Sequence, residues 1–396
     1  MLSRRTLVQS SLAGAALLPG LGLAAADTDK RLLVVILRGA MDGLSLLVPY
    51  GDSHYARARG ELAIAAPRAS DGATAIDGQF ALHPALPWLA KRFEAGDALG
   101  VHAVASPYRE RSHFDGQDAL ENGTSTALGS KDGWLNRAIA PLGGSLGNET
   151  AIALGSTTPL ILRGSQSVSN WAPSRLPGAD DDTLERLTRL YANDEFLSAR
   201  LTQAMESQAI ADASGGMDER RRGGRDRRLQ QTFEQAAAFL TAPNGARIAV
   251  VESTGWDTHA NQGGATGALA RGFQALDNGL AAFHRSMATR WDDTAVVVIT
   301  EFGRTVNVNG TRGTDHGTAS AALLVGGSVR GGRVIADWPG LAPSALYQGR
   351  DLAPTTDLRS LTKAVLIEHL NLDAAFVEAT VFPDSRQALP LGRLFA

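Results

Sequence analysis

Residues Thr294–Val325 read TAVVVITEFGRTVNVNGTRGTDHGTASAALLV, and the reading of this stretch decides the fold. Thr294–Ile299 is an unbroken β-branched run of the kind that forms a strand buried on both faces. Ala319–Val325 is a second apolar run. Between them lies a polar, glycine-punctuated loop carrying Glu301, Arg304, Asp315 and His316. Buried strands whose ends open into such loops belong to α/β sheets, which keep their ligands at the carboxyl edge. The loop also satisfies ordinary turn chemistry, so alone it does not establish a site.

Working outward, the same order recurs three times: apolar strand, turn, then an acid, a hydroxyl or an imidazole. Arg31–Leu37 (RLLVVIL) leads through Arg38-Gly39-Ala40-Met41 to Asp42. Leu99–Ala105 leads into SPYRERSHFDGQ, which brings Arg111, Ser112 and His113 to an expected helix start. Ser112 suits either an N-cap or a nucleophile beside free backbone N–H groups, and the spacing does not choose. Arg247–Val251 leads to ESTGWDTH, with Asp257 and His259 two residues apart. That pair fits one hard-to-borderline cation, or a hydrogen-bonded turn.

Between these units, helices are expected at Pro84–Glu94, Trp134–Pro141, Leu269–Met287 and Thr355–Leu370, the last behind a Thr/Asp cap signal. Pro49–Gln79 reads as loop. Ala151–Leu154 reads as a strand with Pro159–Leu162 as its partner, and Val334–Trp338 as an edge segment. Residues 181–240 read as a helical insertion or cap, with leucines at helical spacing and an arginine-rich run, RRRGGRDRR, at 220–228. With no internal repeat, the expectation is one α/β domain over 27–396, a doubly wound, mostly parallel sheet flanked by helices.

Composition narrows the function. A net charge of −3 and a pI near 6.3 give no electrostatic case for nucleic acid. The absence of cysteine removes disulfides and thiolate ligands, so a metal would be held by His, Asp and Glu. Glycine, 43 of 396 residues, suits many tight strand-to-helix turns. Ser3-Arg4-Arg5-Thr6-Leu7, an apolar stretch to about Leu23 and Ala24-Ala25-Ala26 read as a twin-arginine export signal over residues 1–26. The apolar stretch is short and broken by Gln9, Ser10, Ser11 and Pro19, which argues against a stable membrane span. The implied compartment is periplasmic or secreted, and the implied partner during export is the twin-arginine translocase.

RGAMDGLS, RSHFDGQ, GWDTH, TEFGRT and GTDHG, together with the export signal, resemble the exported bacterial family known as domain of unknown function 1501. That family is similar, distantly, to the alkaline phosphatase/sulfatase/phosphoglycerate mutase superfamily. The resemblance implies two divalent metal ions bridging a nucleophile. Position by position, it implies Asp42 as a ligand, Ser112 as nucleophile, and Asp257 with His259 at one metal, although the superfamily histidine lies four residues on, where Asn261 stands. It further implies Glu301 at the other metal, and His316 with Asp315 as ligand or orienter. Phe302 occupies a position where the superfamily has a histidine, and His113 is our candidate to replace it. Arg304, Arg111 and Arg38 would contact the anion.

The expected function is therefore hydrolysis of a small phosphate or sulfate ester by a metal-activated serine. The cofactor would be one or two ions of Zn, Mn, Mg or Ca. The alternative is a non-catalytic exported protein with a protein partner, retaining the fold and one metal. An oxidoreductase with an organic cofactor finds no G-x-G-x-x-G turn to support it.

Overall fold

The computed structural model describes residues 28–143, 149–172, 181–213, 225–243 and 245–396. The export-signal segment, 1–26, lies outside the described residues, as does most of the arginine run at 220–228.

Among the described residues, twelve strands follow in chain order: β1 (Arg31–Arg38), β2 (Leu47–Val48), β3 (Thr74–Ala75), β4 (Ala81–Leu82), β5 (Ala98–Ala105), β6 (Ala151–Leu154), β7 (Ser169–Trp171), β8 (Ile248–Thr254), β9 (Thr294–Ile299), β10 (Ser320–Val325), β11 (Arg333–Ile335) and β12 (Thr356–Asp357). Nine form one sheet in the order β11-β5-β10-β9-β1-β8-β6-β7, with β12 also on β5. β2, β4 and β3 make a small antiparallel sheet. At the centre, β1 pairs in parallel with β8 (Leu32 opposite Ile248) and with β9 (Leu32 opposite Ala295). β10 alone among the large sheet's strands runs against its neighbours, β9 and β5. The sheet is thus mostly parallel, as expected. Because β10 enters from the edge where β1, β5, β8 and β9 end, the loop before it reaches the same edge.

Alternation along β1 separates two cores, since successive side chains point to opposite faces. Leu32, Val34 and Ile36 pack with Trp134, Leu135, Leu361, Leu366 and Phe382. Leu33, Val35 and Leu37 pack with Phe233, Phe273, Leu276 and Phe283. Helices therefore cover both faces. Each fully buried Phe on the second face contributes about 1.5–3 kcal/mol over an exposed one.

Two expectations are corrected. Pro159–Leu162 is not a strand: Leu160–Leu162 forms a 3-10 turn, and β6 pairs instead with β7 and β8. Pro159 has no N–H to give a ladder. Nor is all of 181–240 an excursion. The helix Arg225–Thr241 buries Phe233, Ala236, Ala237, Phe239 and Leu240 in the second core. The helices Asp181–Tyr191 and Glu195–Ala213 leave Leu190, Phe196, Leu197 and Met205 exposed. The Pro49–Gln79 region contains a short helix, Tyr55–Arg59. No helix among the described residues is long and apolar enough to cross a membrane.

Candidate metal centre

Four segments meet at the carboxyl edge of the central strands. The loop after β8 supplies Asp257 and His259; the loop after β9 supplies Glu301, Phe302 and Arg304; the turn into β10 supplies Asp315 and His316. The helix His113–Asn122, which follows β5, begins with His113. One ligand atom each from His113, Asp257 and His316 lies within 4.8 Å of the others.

The hydrogen bonds fix which ring nitrogen faces inward. His113 Nδ1 lies 2.8 Å from Glu301 Oε1. Glu301 is fully buried; burial opposes its ionisation, but hydrogen bonds from His113, Gly39 and Gln117 prevail and its pKa is lowered. An ionised carboxylate only accepts, so His113 Nδ1 carries a proton, and in the neutral ring Nε2 is the nitrogen with the lone pair. In the same way His316 Nδ1 donates to the Arg111 carbonyl at 2.9 Å, leaving Nε2 as an acceptor. His259 Nδ1 lies 3.3 Å from Asp315 Oδ1. The inward nitrogens then converge on Asp257. His316 Nε2 stands 3.3 Å and His259 Nε2 3.0 Å from Asp257 Oδ1, and the two ring nitrogens lie 3.0 Å apart. His113 Nε2 lies 3.4 Å from Asp257 Oδ2, is buried, and has no hydrogen-bond partner. That separation exceeds a good N–H···O bond.

The result is three imidazole nitrogens gathered around one carboxylate, which Arg304 also holds, and His113, Asp257 and His316 form a group that could hold a cation. Imidazoles whose Nδ1–H is anchored on a carboxylate or carbonyl form the usual outer support of metal-binding histidines. The hydrogen bond to Glu301, ahead of the opposing effect of burial, raises the His113 pKa. Burial, only partly offset by the Arg111 carbonyl, lowers that of His316 and keeps it neutral. The remaining histidines do other work. His83, His102 and His369 are buried against backbone carbonyls, and desolvation pushes each down to about 4.

The other sequence candidates are distributed as follows. Glu301 is brought in as the orienter of His113: Oε1 also accepts from Gly39 N at 2.9 Å and Gln117 Nε2 at 3.2 Å, and Oε2 from Thr300 Oγ1 at 2.9 Å. Asp315 orients His259. Asp42 stands apart from the cluster, its carboxylate taken up by Arg59, Gln262, Ser45 and Leu44 N. Ser112 is the N-cap residue of the His113 helix, yet its side chain makes no capping hydrogen bond. The arginines expected to meet an anion are each committed to carboxylates. Arg304 is buried on Asp257 and Thr314. Arg111 holds Asp351 at 2.8 Å, and Arg38 holds Glu121 at 2.8 Å as well as Glu252.

Phe302 has a structural explanation. It is buried, stacks on the His113 ring at 5.1 Å and 24°, and meets the His316 ring at 5.3 Å. With Ala40, Tyr108 and Ala119 it forms a small buried apolar cluster, and its ring is the face that the two imidazoles meet. Gln117, Gln262, Thr314 and Arg59 were not found from sequence. Amides and threonines have no periodic signature, and Arg59 lies in a stretch that reads as loop.

Backbone and orienter can both be tested. Gly39 has φ +119°, and a Cβ there would sit 2.6 Å from Asp257 N. Gly39→Ala is expected to cost about 2 kcal/mol in urea unfolding and to weaken metal binding, because the strain falls on the Asp257 peptide. Glu301→Gln keeps the shape but no longer obliges His113 Nδ1 to hold the proton. Metal affinity should fall about 10–100-fold in a chelator competition.

The profile of the family described as "Protein of unknown function (DUF1501)" matches residues 94–381, well over half of the chain. The chain belongs to the DUF1501 family. No match to a curated protein was found. Among solved structures, this DUF1501 protein is similar to a protein in the alkaline phosphatase superfamily from Vibrio parahaemolyticus, at 13% identity and TM-score 0.43 over 93% of this chain and 72% of that one. It is also similar to the phosphonate monoester hydrolase of Agrobacterium radiobacter, at 10% identity and TM-score 0.41 over 87% and 74%. A third is the C-terminal periplasmic domain of EcEptC from Escherichia coli in complex with Zn, at 10% identity and TM-score 0.40 over 76% and 74%. These are likenesses of strand and helix arrangement, and the chemistry has to come from the site itself.

Proposed function

We propose that this DUF1501 protein is an exported, metal-dependent hydrolase of phosphate or sulfate esters. The observation that carries the reading is the buried, unpartnered Nε2 of His113 facing Asp257 and His316. His113, Asp257 and His316 would hold one divalent ion, with His259 as a further ligand. A set of three imidazoles and one carboxylate suits zinc better than calcium or magnesium. Such an ion, when bound, would supply Lewis-acid polarisation of an ester oxygen and would lower the pKa of a nearby hydroxyl.

The chain's own residues supply the rest. Glu301 keeps the proton on His113 Nδ1. Arg304 holds the Asp257 carboxylate in place, and the Phe302 ring meets both imidazoles. Ser112, adjacent to His113 and free of a capping role, would give its hydroxyl proton to solvent and attack phosphorus or sulfur; the bond to the ester oxygen breaks, that oxygen leaves as the alcohol with a proton from solvent, and water hydrolyses the resulting serine ester. The Ser3–Leu7 pattern supports export by the twin-arginine route.

The test is elemental analysis of the purified protein followed by assays on aryl phosphate and aryl sulfate esters. We expect about one metal per chain, turnover, and a Ser112→Ala variant that keeps the metal but loses turnover. Protein that stays inert after reconstitution with Zn, Mn, Mg and Ca would refute hydrolysis. A second reading, a metal-holding protein that binds a partner without catalysis, is favoured by the commitment of Arg38, Arg111 and Arg304 to carboxylates. On that reading Ser112→Ala leaves the cellular phenotype unchanged, whereas changes at Leu190 and Phe196 abolish it.

A further inference from the structure

We infer that the buried Asp42–Arg59 pair is a positioning unit for the metal centre, acting on Asp257 through Gln262, Thr314 and Arg304. The inference rests on the metal reading above and adds residues that make no contact with the cluster.

The chain of contacts is continuous, and it is buried as far as Arg304, with Asp257 at its exposed end. Asp42 is 1% and Arg59 0% exposed. Arg59 Nη2 binds Asp42 Oδ2 and lies 3.1 Å from Ser45 Oγ. Gln262 Nε2 donates to Asp42 Oδ2 at 2.6 Å. At its other end, Gln262 Oε1 accepts from Thr258 Oγ1 and from Thr314 Oγ1, each at 2.7 Å. Thr314 Oγ1 in turn accepts from Arg304 Nε at 3.0 Å, and the Thr314 carbonyl accepts from Arg304 Nη2. Arg304 Nη1 then binds Asp257 Oδ1. Arg59 closes the unit from the far side: its Nη1 donates to the carbonyls of Thr305 and Val306 at 3.2 and 3.1 Å, directly after Arg304 in the chain.

The direction of every bond in this series follows from the charge on Asp42. A carboxylate paired with a guanidinium can only accept, so the Gln262 amide must turn its NH2 toward Asp42 and its oxygen toward the threonines. With that oxygen accepting, the single proton of the Thr314 hydroxyl is directed to Gln262. A lone pair is then left for Arg304 Nε. Arg304 can give but not take hydrogen bonds, and its planar fork sets one orientation for Asp257. An amide free to flip would reverse these directions and put a donor against Arg304. Arg59 thus serves as a permanent cation beside Asp42, and no second metal ion is needed to neutralise that carboxylate.

The experiment measures zinc affinity by chelator competition and zinc stoichiometry by calorimetry on the full chain, with far-UV circular dichroism to establish folding. Wild type is expected to bind one zinc per chain. Gln262→Met and Thr314→Val should weaken binding about 10–100-fold, the range for residues that support ligands from behind. Thr314→Ser, which keeps the hydroxyl, should restore affinity close to wild type. Lys363→Met is the control. It breaks the buried Lys363–Glu378 pair outside the cluster, so it should lower stability without changing zinc affinity. If Gln262→Met does not fold, Thr314→Val against Thr314→Ser decides alone. Thr314→Val binding as tightly as Thr314→Ser, or two zinc ions per wild-type chain, overturns the positioning unit. Wild-type protein that binds no divalent ion overturns the metal reading first and the unit with it.

Discussion

Replacing His316 with alanine is expected to release the bound metal and to lower the hydrolysis of an activated aryl ester about a thousandfold, or about 4 kcal/mol of transition-state stabilisation. His316 is the cleanest ligand to remove. Its Nδ1 partner is the Arg111 carbonyl, so the truncation leaves no buried charge behind. His113→Ala should have the same chemical effect and a larger structural one. It strips the buried Glu301 of its imidazole donor and removes the ring stacked on Phe302. The measurement is metal content by elemental analysis beside steady-state kinetics. A His316→Ala protein that retains stoichiometric metal and full turnover would remove His316 from the site.

The second large effect is on stability. Arg59→Met is expected to destabilise the protein by about 3–5 kcal/mol at neutral pH, because it leaves the Asp42 carboxylate buried without its counter-charge. The pH dependence carries a signature. In the wild type, burial works against the Asp42 charge, but Arg59, Gln262 and Ser45 outweigh it and hold the pKa below the ordinary 3.8. A depressed carboxyl pKa gives stability that is present above the unfolded value and is lost as pH falls through the folded one. In Arg59→Met the main opposing charge is gone, so burial prevails and the carboxyl is raised. The gap between wild type and variant should therefore begin to narrow above about 4, as pH falls through the raised carboxyl of the variant, and narrow further below it as the wild type loses its own contribution. Urea unfolding at a series of pH values reads both. A gap below about 1 kcal/mol at pH 7, or one that widens in acid, would contradict the assignment.

Much of this arrangement was legible because apolar strands and the polar residues at their ends are local features. Thr294–Ile299 could only be a buried strand, and Glu301, Asp257 and His113 follow such strands in the chain. Convergence of these segments followed from a shared sheet edge. The direction of β10 was not legible, since an apolar run does not say which way it pairs. Nor was the division of labour among the acids. Glu301 and Asp42 occupy equivalent places after β9 and β1, yet one orients His113 and the other meets Arg59. Which partner each carboxylate finds depends on contacts 188 residues apart for Glu301 and 17 for Asp42. Phe302 reads in sequence as a missing ligand; in space it is the surface on which two imidazoles rest.

That surface has a consequence for hydration. The His113 and His316 side chains are 24% and 25% exposed, and both rings meet Phe302, which packs in turn on Tyr108, Ala40 and Ala119. A ring stacked on an apolar face on one side and exposed in part on the other is hydrated unevenly, and His113 Nε2 is already buried from water. A group held against the rings would shed its own water on one face while keeping it on the other.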